Sequence, residues 1–212
     1  MADWPASEGD LRLFFPATQR NQAPIAEVLA HWLPRQGQVL EIASGSGEHA
    51  VAFQFRFPEI IWQASDPDPN HCSSVQAWIQ HSGLEERMPP PLQLDVRTRP
   101  WSLPLAAAGG LDAVVAINLI HIAAWECCEA LVAEAAQHLK PGAPLVIYGP
   151  FRRGGVHTSE SNEAFDQSLR SRCADWGVRD LEALESLAGD CGFTEQRLEL
   201  MPANNLMVAF SR

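Results

Sequence analysis

The chain is poor in positive charge. Only one lysine, Lys140, stands among its 15 basic residues, and the formal charge is −11. A long nucleic acid calls for a clustered basic surface to replace its counterions. Here the arginines are scattered, with small knots only at Arg97/Arg99 and Arg152/Arg153, so DNA and RNA are disfavoured as partners. Long apolar runs are also missing: the stretch from Leu111 to Ile117 stops well short of a membrane span. Met1 to Asp10 carries acids and neither a basic n-region nor an apolar h-region, so no secretory signal is read there and the cytoplasm is the expected location. The five cysteines (72, 127, 128, 173 and 191) form no C-x-x-C pair, which argues against a disulfide framework or a zinc site. They read as reduced, partly buried thiols. The seven histidines show no ligand spacing with acids or cysteines, so no metal is expected.

What is present is an ordinary globular balance, 46% hydrophobic and 19% charged over 212 residues, with no repeat and no linker. Short β-type runs alternate with helical ones. Strands are predicted at Gln38–Ala43, Ile60–Ser65, Leu92–Val96, Leu111–Asn118 and Leu145–Gly149. Helices are predicted at Glu48–Phe57, Asn70–His81, Trp125–Leu139, Asn162–Trp176 and Leu181–Cys191. Continuously apolar strands alternating with helices imply an α/β, doubly wound, Rossmann-like, mostly parallel sheet covered on both faces. Two further strands, Glu195–Met201 and Leu206–Phe210, are joined by Pro202-Ala203-Asn204-Asn205, too short a connection for anything but an antiparallel hairpin. The organisation expected is one domain over 1–212: an N-terminal lid segment and helix in 1–34, then a core over 38–212. Pro24 is placed in the first turn of a helix running to about Leu33, and Phe14 to Asn21 ahead of it as a lid over the sheet.

The most informative stretch is Val39-Leu40-Glu41-Ile42-Ala43-Ser44-Gly45-Ser46-Gly47-Glu48-His49. A strand enters a glycine-rich turn and then a helix, whose free N–H groups and missing side chains admit a ligand. Two cofactors compete for it. Gly45-x-Gly47-x-x-Ala50 satisfies the dinucleotide pattern, a weak signal alone. Glu41-x-Ala43-x-Gly45-x-Gly47 matches the acid-led glycine loop for S-adenosylmethionine, with Ala43 in place of the first glycine. Glu41 beside the turn would repel a pyrophosphate and suits a ligand carrying an ammonium and a sulfonium, so the second reading is favoured. Two more acids follow at strand ends. Asp66, in Ser65-Asp66-Pro67-Asp68, can accept from both ribose hydroxyls, while Asp68 fits a helix cap. Asp95 closes the third predicted strand within reach of an adenine amino group.

These residues resemble the class I methyltransferase superfamily and, more narrowly, the family called domain of unknown function 938 (the methyltransferase-like protein 26 group). The likeness is carried by FFPATQRNQAPI (14–25), VLEIASGSGEHAVAF (39–53), WQASDPD (62–68), NLIHIAAW (118–125), IYGPF (147–151), SNEAFDQSLR (161–170) and MPANN (201–205), in order along nearly the whole chain. The resemblance implies a seven-stranded sheet with its last strand antiparallel, and S-adenosylmethionine as cofactor with S-adenosylhomocysteine as product. It implies cofactor contacts at Glu41, Ala43, Gly45, Gly47, Asp66, Asp95, Val96 and Asn118. It names no substrate.

Methyl transfer asks the protein for alignment, exclusion of water and, for some nucleophiles, a base. Asn118-Leu119-Ile120-His121 follows the fourth strand and departs from the (D/N)-P-P-(Y/F) signature of nucleobase amine methylation. His121 is a candidate general base or a structural histidine; Tyr148, the only tyrosine, is a candidate substrate-orienting group or a core-edge aromatic. His49 is placed near the cofactor at the helix start. Arg20 and Asn21 in the lid, Arg152, and Asn204 and Asn205 in the terminal turn are candidate substrate contacts, Arg20 and Arg152 for an anionic one. Ser161 and Asn162 read as helix caps, and Trp101, Trp125 and Trp176 as packing residues. The function these features favour is methyl transfer to a small molecule or a protein side chain. The alternatives are a non-catalytic S-adenosylmethionine-binding regulator or assembly partner and a nicotinamide-dependent oxidoreductase; the latter lacks a Tyr-x-x-x-Lys pair, since Arg152 follows Tyr148.

Overall fold

A computed structural model describes residues 9–104 and 109–212. The reading of the acidic N-terminus and the first part of the lid segment, up to residue 8, lies outside the described residues. The main sheet path runs β3-β2-β1-β4-β5-β9-β8. Its strands are β1 (Gly37–Ile42), β2 (Ile60–Asp66), β3 (Leu92–Gln93), β4 (Ala113–Ile117), β5 (Leu145–Arg153), β8 (Glu195–Met201) and β9 (Asn205–Ser211). β1 to β5 pair in parallel, and β9 joins antiparallel to both β5 and β8. This is the mixed seven-stranded sheet with an antiparallel terminal hairpin that the alternating pattern called for.

Each buried strand divides its side chains between two cores. Val39, Val115 and Val146 pack on one face with Ile25, Phe53, Trp62 and Val75. Leu40, Val114 and Ile147 pack on the other with Leu131, Ala135, Leu184 and Phe193. The first face is covered by α1 (Pro16–Trp32), α2 (Glu48–Arg56) and α3 (Pro69–His81), the second by α4 (Trp125–His138) and α6 (Leu181–Asp190). Strands buried on both sides carry no polar alternation, which is why β4 reads Ala-Val-Val-Ala-Ile and is buried throughout.

Four expectations need correction. The N-terminal helix starts at Pro16, not Pro24: Pro16 takes the first-turn position, and Pro24 lies inside the helix. Phe14 and Phe15 are therefore a strap, and Pro16 to Asn21 the opening turns of α1. Pro24 removes one helical hydrogen bond, and tertiary contacts hold the turns ahead of it. Phe15 N–H donates to Glu48 Oε2 (2.7 Å), Gln22 Nε2 to the Glu48 carbonyl (3.3 Å), and Asn21 Oδ1 pairs with His49 Nε2 (2.9 Å). Second, β3 is two residues long, because after Leu94 the chain turns on Asp95, whose carbonyl accepts from Thr98 N–H. Asp95 lies past the strand rather than closing it. Third, α5 (Glu160–Arg172) stops before Trp176: Cys173 is extended, and the turn beyond is tied elsewhere by Gly177 N–H donating to the His121 carbonyl. Its cap is Ser159, accepting from Asn162 N–H, so Ser161 and Asn162 lie inside the first turn. Fourth, β5 runs four residues past Gly149 and pairs with two short strands that the sequence did not announce, β6 (Val156–His157) and β7 (Arg179–Asp180).

Candidate functional site

The carboxyl ends of the parallel strands bring the glycine turn, Asp66, Asn118 and Tyr148 to one edge of the sheet, where ligands bind in open α/β folds. The turn is built on positive backbone angles at Ala43 (φ 57°), Gly45 (58°) and Gly47 (90°). Gly47 is required: a Cβ there would stand 2.8 Å from the Val75 backbone of α3. Ala43 bears a side chain in the same left-handed region, a local strain of about 1 kcal/mol.

The acids hold the turn. Asp66 is buried at the end of β2; its Oδ2 accepts from Gly45 N–H (2.9 Å) and its Oδ1 from Asp68 N–H and pairs with His71 Nδ1 (each 3.0 Å). Asp68 caps α3 by accepting from Asn70 N–H. Glu41 is 1% exposed beneath the turn. Its Oε2 accepts from Ser44 Oγ and Trp62 Nε1 (both 3.0 Å), and Oε1 receives no hydrogen bond among the described residues. Burial pushes the Glu41 carboxyl up to about 7 against the pull of those two donors, with Asp66 adding a smaller push. Asp95 is half-exposed and gripped by Arg97 through Nε (3.1 Å) and Nη2 (2.7 Å), which holds it below the usual carboxylate range. Val96 belongs to the apolar core, and its carbonyl accepts from Trp101 Nε1. Asn118, in a left-handed conformation (φ 58°), donates its N–H to the Tyr148 carbonyl.

The strap closes over this turn. A Cβ on Gly45 would meet the Phe15 ring at 3.0 Å, and that ring stands edge-on to His71. Leu13 N–H donates to Ser74 Oγ, which donates to the Ser46 carbonyl, and Trp78 Nε1 donates to the Leu13 carbonyl. Phe15, Glu48, Trp62 and His71 are parts of the site that residue-type reasoning did not single out. The adjacent aromatics of Phe14-Phe15-Pro16 were the one signal available.

The remaining candidates separate into two groups. On the α1 face, Asn21 pairs with His49, Tyr148 belongs to the apolar core of that face, and Asn205 Nδ2 donates to the Pro202 carbonyl. Burial lowers His49 to about 4 and raises Tyr148 above its ordinary value. His121 lies on the opposite face. Its ring fills the space a Gly149 side chain would need and stands edge-on to Phe165. Burial, helped by nearby Arg179, lowers it to about 4, and its Nδ1 has no partner among the described residues. Arg152 pairs with Asp180 through Nη2 (2.6 Å), while its Nε has no partner among the described residues; Arg20 is exposed on α1. Asn204 contributes its backbone, its carbonyl accepting from Asn162 Nδ2. Trp101 is buried, Trp125 packs against the α4 core, and Trp176 lies under the Arg172 guanidinium. No described helix is long and apolar enough to cross a membrane.

The model of the family described as a protein of unknown function (DUF938) matches residues 12–212. Solved structures share the fold. An O-methyltransferase family protein from Burkholderia thailandensis superposes with a TM-score of 0.74 at 17% identity, over 92% of this chain and 57% of that one. Human N-acetylserotonin methyltransferase in complex with SAM gives 0.72 at 16%, over 92% and 52%. PigF with SAH gives 0.75 at 15%, over 92% and 56%. The chain spans little more than half the length of these proteins, and at such identities the likeness is one of fold.

Proposed function

The chain belongs to the DUF938 family, and we propose that it is an S-adenosylmethionine-dependent methyltransferase acting on a small molecule or a protein side chain. The observation that carries this reading is the acid-lined glycine turn. Glu41 lies buried beneath it with one carboxylate oxygen uncommitted, Asp66 hooks its Gly45 amide, and no lysine or arginine hydrogen bonds to it among the described residues. A pyrophosphate in that place would face two carboxylates in a poorly screened cleft. A ligand with an ammonium and ribose hydroxyls finds acceptors instead.

The residues present fit S-adenosylmethionine, which when bound supplies a methyl group already activated by its sulfonium. Glu41 would face the ammonium end and Asp66 the ribose, with the Phe15 ring against Gly45 as the covering the ligand meets. Phe15 is the wall over the turn. Asp95 serves the adenine side once Arg97 shares it. Tyr148, whose carbonyl accepts from Asn118 N–H on the neighbouring strand, is assigned to the acceptor side.

Calorimetric titration of the purified protein with S-adenosylmethionine, S-adenosylhomocysteine and NAD, repeated on Asp66→Asn, tests the reading. Micromolar binding of the first two, weakened at least about tenfold in the variant, is expected, the loss of one charged hydrogen bond being worth about that factor or more. Binding of NAD alone would move the turn to a dinucleotide and sink the proposal. Cofactor binding with no methyl transfer to any acceptor would leave a binding protein rather than an enzyme.

A further inference from the structure

The sheet ends on one side at β3, two residues long, and on the other at β8, seven residues long. Only β9 pairs with β8, and among the described residues no other group hydrogen bonds to the β8 backbone. A full row of N–H and C=O groups therefore stands at that edge, which is a template for a further strand. The two faces of the edge carry different side chains. Arg197 and Glu199 lie across from Ala209 and Met207, which belong to the α1 face, whereas Leu198 and Leu200 lie across from Val208 and Leu206 of the other core. Arg197 and Glu199 are exposed and make no ion pair among the described residues. Leu198 is half-buried, and Leu200 is 74% exposed. Such a row chooses its partner. Two copies of β8 joined antiparallel about a two-fold axis pair all seven residues only when the axis passes at Leu198. Arg197 then stands opposite the partner's Glu199, and Glu199 opposite the partner's Arg197. On the other face Leu198 meets its own copy, and Leu200 lies diagonal to it. Moving the axis by one residue sets Arg197 against Arg197 or Glu199 against Glu199, so the neighbouring registers repel.

We propose that β8 pairs with β8 of a second copy of this chain about a two-fold axis at Leu198, giving a dimer with one continuous sheet. The occupant of the edge is another copy because the charges are self-complementary in that one register. Two symmetric Arg197–Glu199 pairs set the alignment, and Leu198 and Leu200 of both copies form the apolar side of the contact. Charged residues on an edge strand ordinarily guard it against association. Here the same charges refuse other alignments and accept this one, which is specificity by repulsion as well as attraction. The contact involves none of the residues of the glycine turn, so it stands apart from the methyltransferase reading.

Sedimentation equilibrium of the full-length protein from about 1 to about 300 μM tests the pairing, in about 0.15 M salt to screen the repulsion between chains of charge −11. A monomer–dimer equilibrium is expected. Arg197→Glu sets like charges opposite each other twice and should weaken the dimer at least about tenfold, and Glu199→Arg should do the same. The double variant Arg197→Glu/Glu199→Arg restores opposite charges across the axis and should recover most of the loss. Both side chains are exposed, so the circular dichroism of each monomer should match the parent. If one single variant fails to fold, the other decides, because either reversal disrupts the same two pairs. A protein that stays monomeric over the whole range overturns the proposal, as does a dimer indifferent to both reversals. Two weakened single variants with no recovery in the double variant would overturn the register about Leu198.

Discussion

Glu41→Gln is predicted to stabilise the protein at neutral and alkaline pH while weakening its ligand site. The Glu41 carboxyl is raised by burial from an ordinary 4.5 to about 7. Between those values the folded chain holds a proton that the unfolded chain has lost. Stability attached to this group is therefore full below the window and falls as pH rises through it. The ionised form above pH about 7 costs on the order of 3 kcal/mol. Glutamine keeps an acceptor for Ser44 Oγ and Trp62 Nε1 and never ionises. Its new amide hydrogens replace an oxygen that receives no hydrogen bond, which costs about 1 kcal/mol at all pH values. The variant should then be slightly less stable than the parent near pH about 5 and about 2 kcal/mol more stable near pH about 8, a gain of several degrees in Tm for a domain of this size. Urea unfolding at both pH values measures this, and the difference between the two proteins cancels every other titrating group. A difference that is the same at both pH values would refute the account of Glu41 as a raised, desolvated acid. The same carboxylate beside a ligand ammonium would be pulled back down. Binding should accordingly release a proton and tighten as pH rises toward about 8 in the parent, and lose that dependence in the variant. A group that costs stability in the empty site and is relieved by ligand is what a binding residue looks like on a stability scale.

Ala43→Gly should leave stability unchanged or raise it by up to about 0.5 kcal/mol, since relief of left-handed strain offsets the larger entropy of an unfolded glycine; a loss of about 0.5–1 kcal/mol on thermal unfolding would show the turn to be unstrained. His49 and His121, both lowered to about 4 by burial, bind protons only on unfolding, so the stability they carry is present above about pH 6.5 and is lost as pH falls toward 4. His49→Asn should therefore blunt the acid transition followed by circular dichroism, and an unchanged acid midpoint would contradict the buried, neutral state of the ring.

Much of the fold was legible because it follows from local rules. Runs such as Ala113–Ile117 have only one environment that accepts them, and a four-residue connection between two β-type runs permits only a hairpin. The errors fall where a tertiary contact outweighed a local preference. Pro24 is a good helix starter, yet Pro16 precedes it and the strap is fastened by Glu48 and His49 from another element, so the helix begins eight residues sooner. Leu94-Asp95-Val96 has strand composition, but Asp95 serves its own turn through Arg97. Strands β6 and β7 are two residues each and exist only because β5 offers them an edge. For the site, glycines and acids stood out by type and spacing. Phe15 and Trp62 did not, because an aromatic looks the same in a sequence whether it fills a core or walls a ligand.

What composition and spacing could not supply was the face of the sheet on which each side chain emerges. Asn118-Leu119-Ile120-His121 and Tyr148 end neighbouring strands, and sequence reasoning placed His121 and Tyr148 together as candidate catalytic groups. Alternation along β5 separates them: Tyr148 joins Val146 on the α1 face, whereas Gly149, against which the His121 ring lies, follows Ile147 on the other. A single ligand on the glycine turn meets the face on which Asn21 and His49 lie, because α2 begins directly from that turn. His121 lies instead against Gly149 and Phe165, its carbonyl accepts from Gly177 N–H, and its Nδ1 has no partner among the described residues. Tyr148 and His121 thus stand on opposite faces of the sheet, and one ligand on the glycine turn does not meet both from the same side.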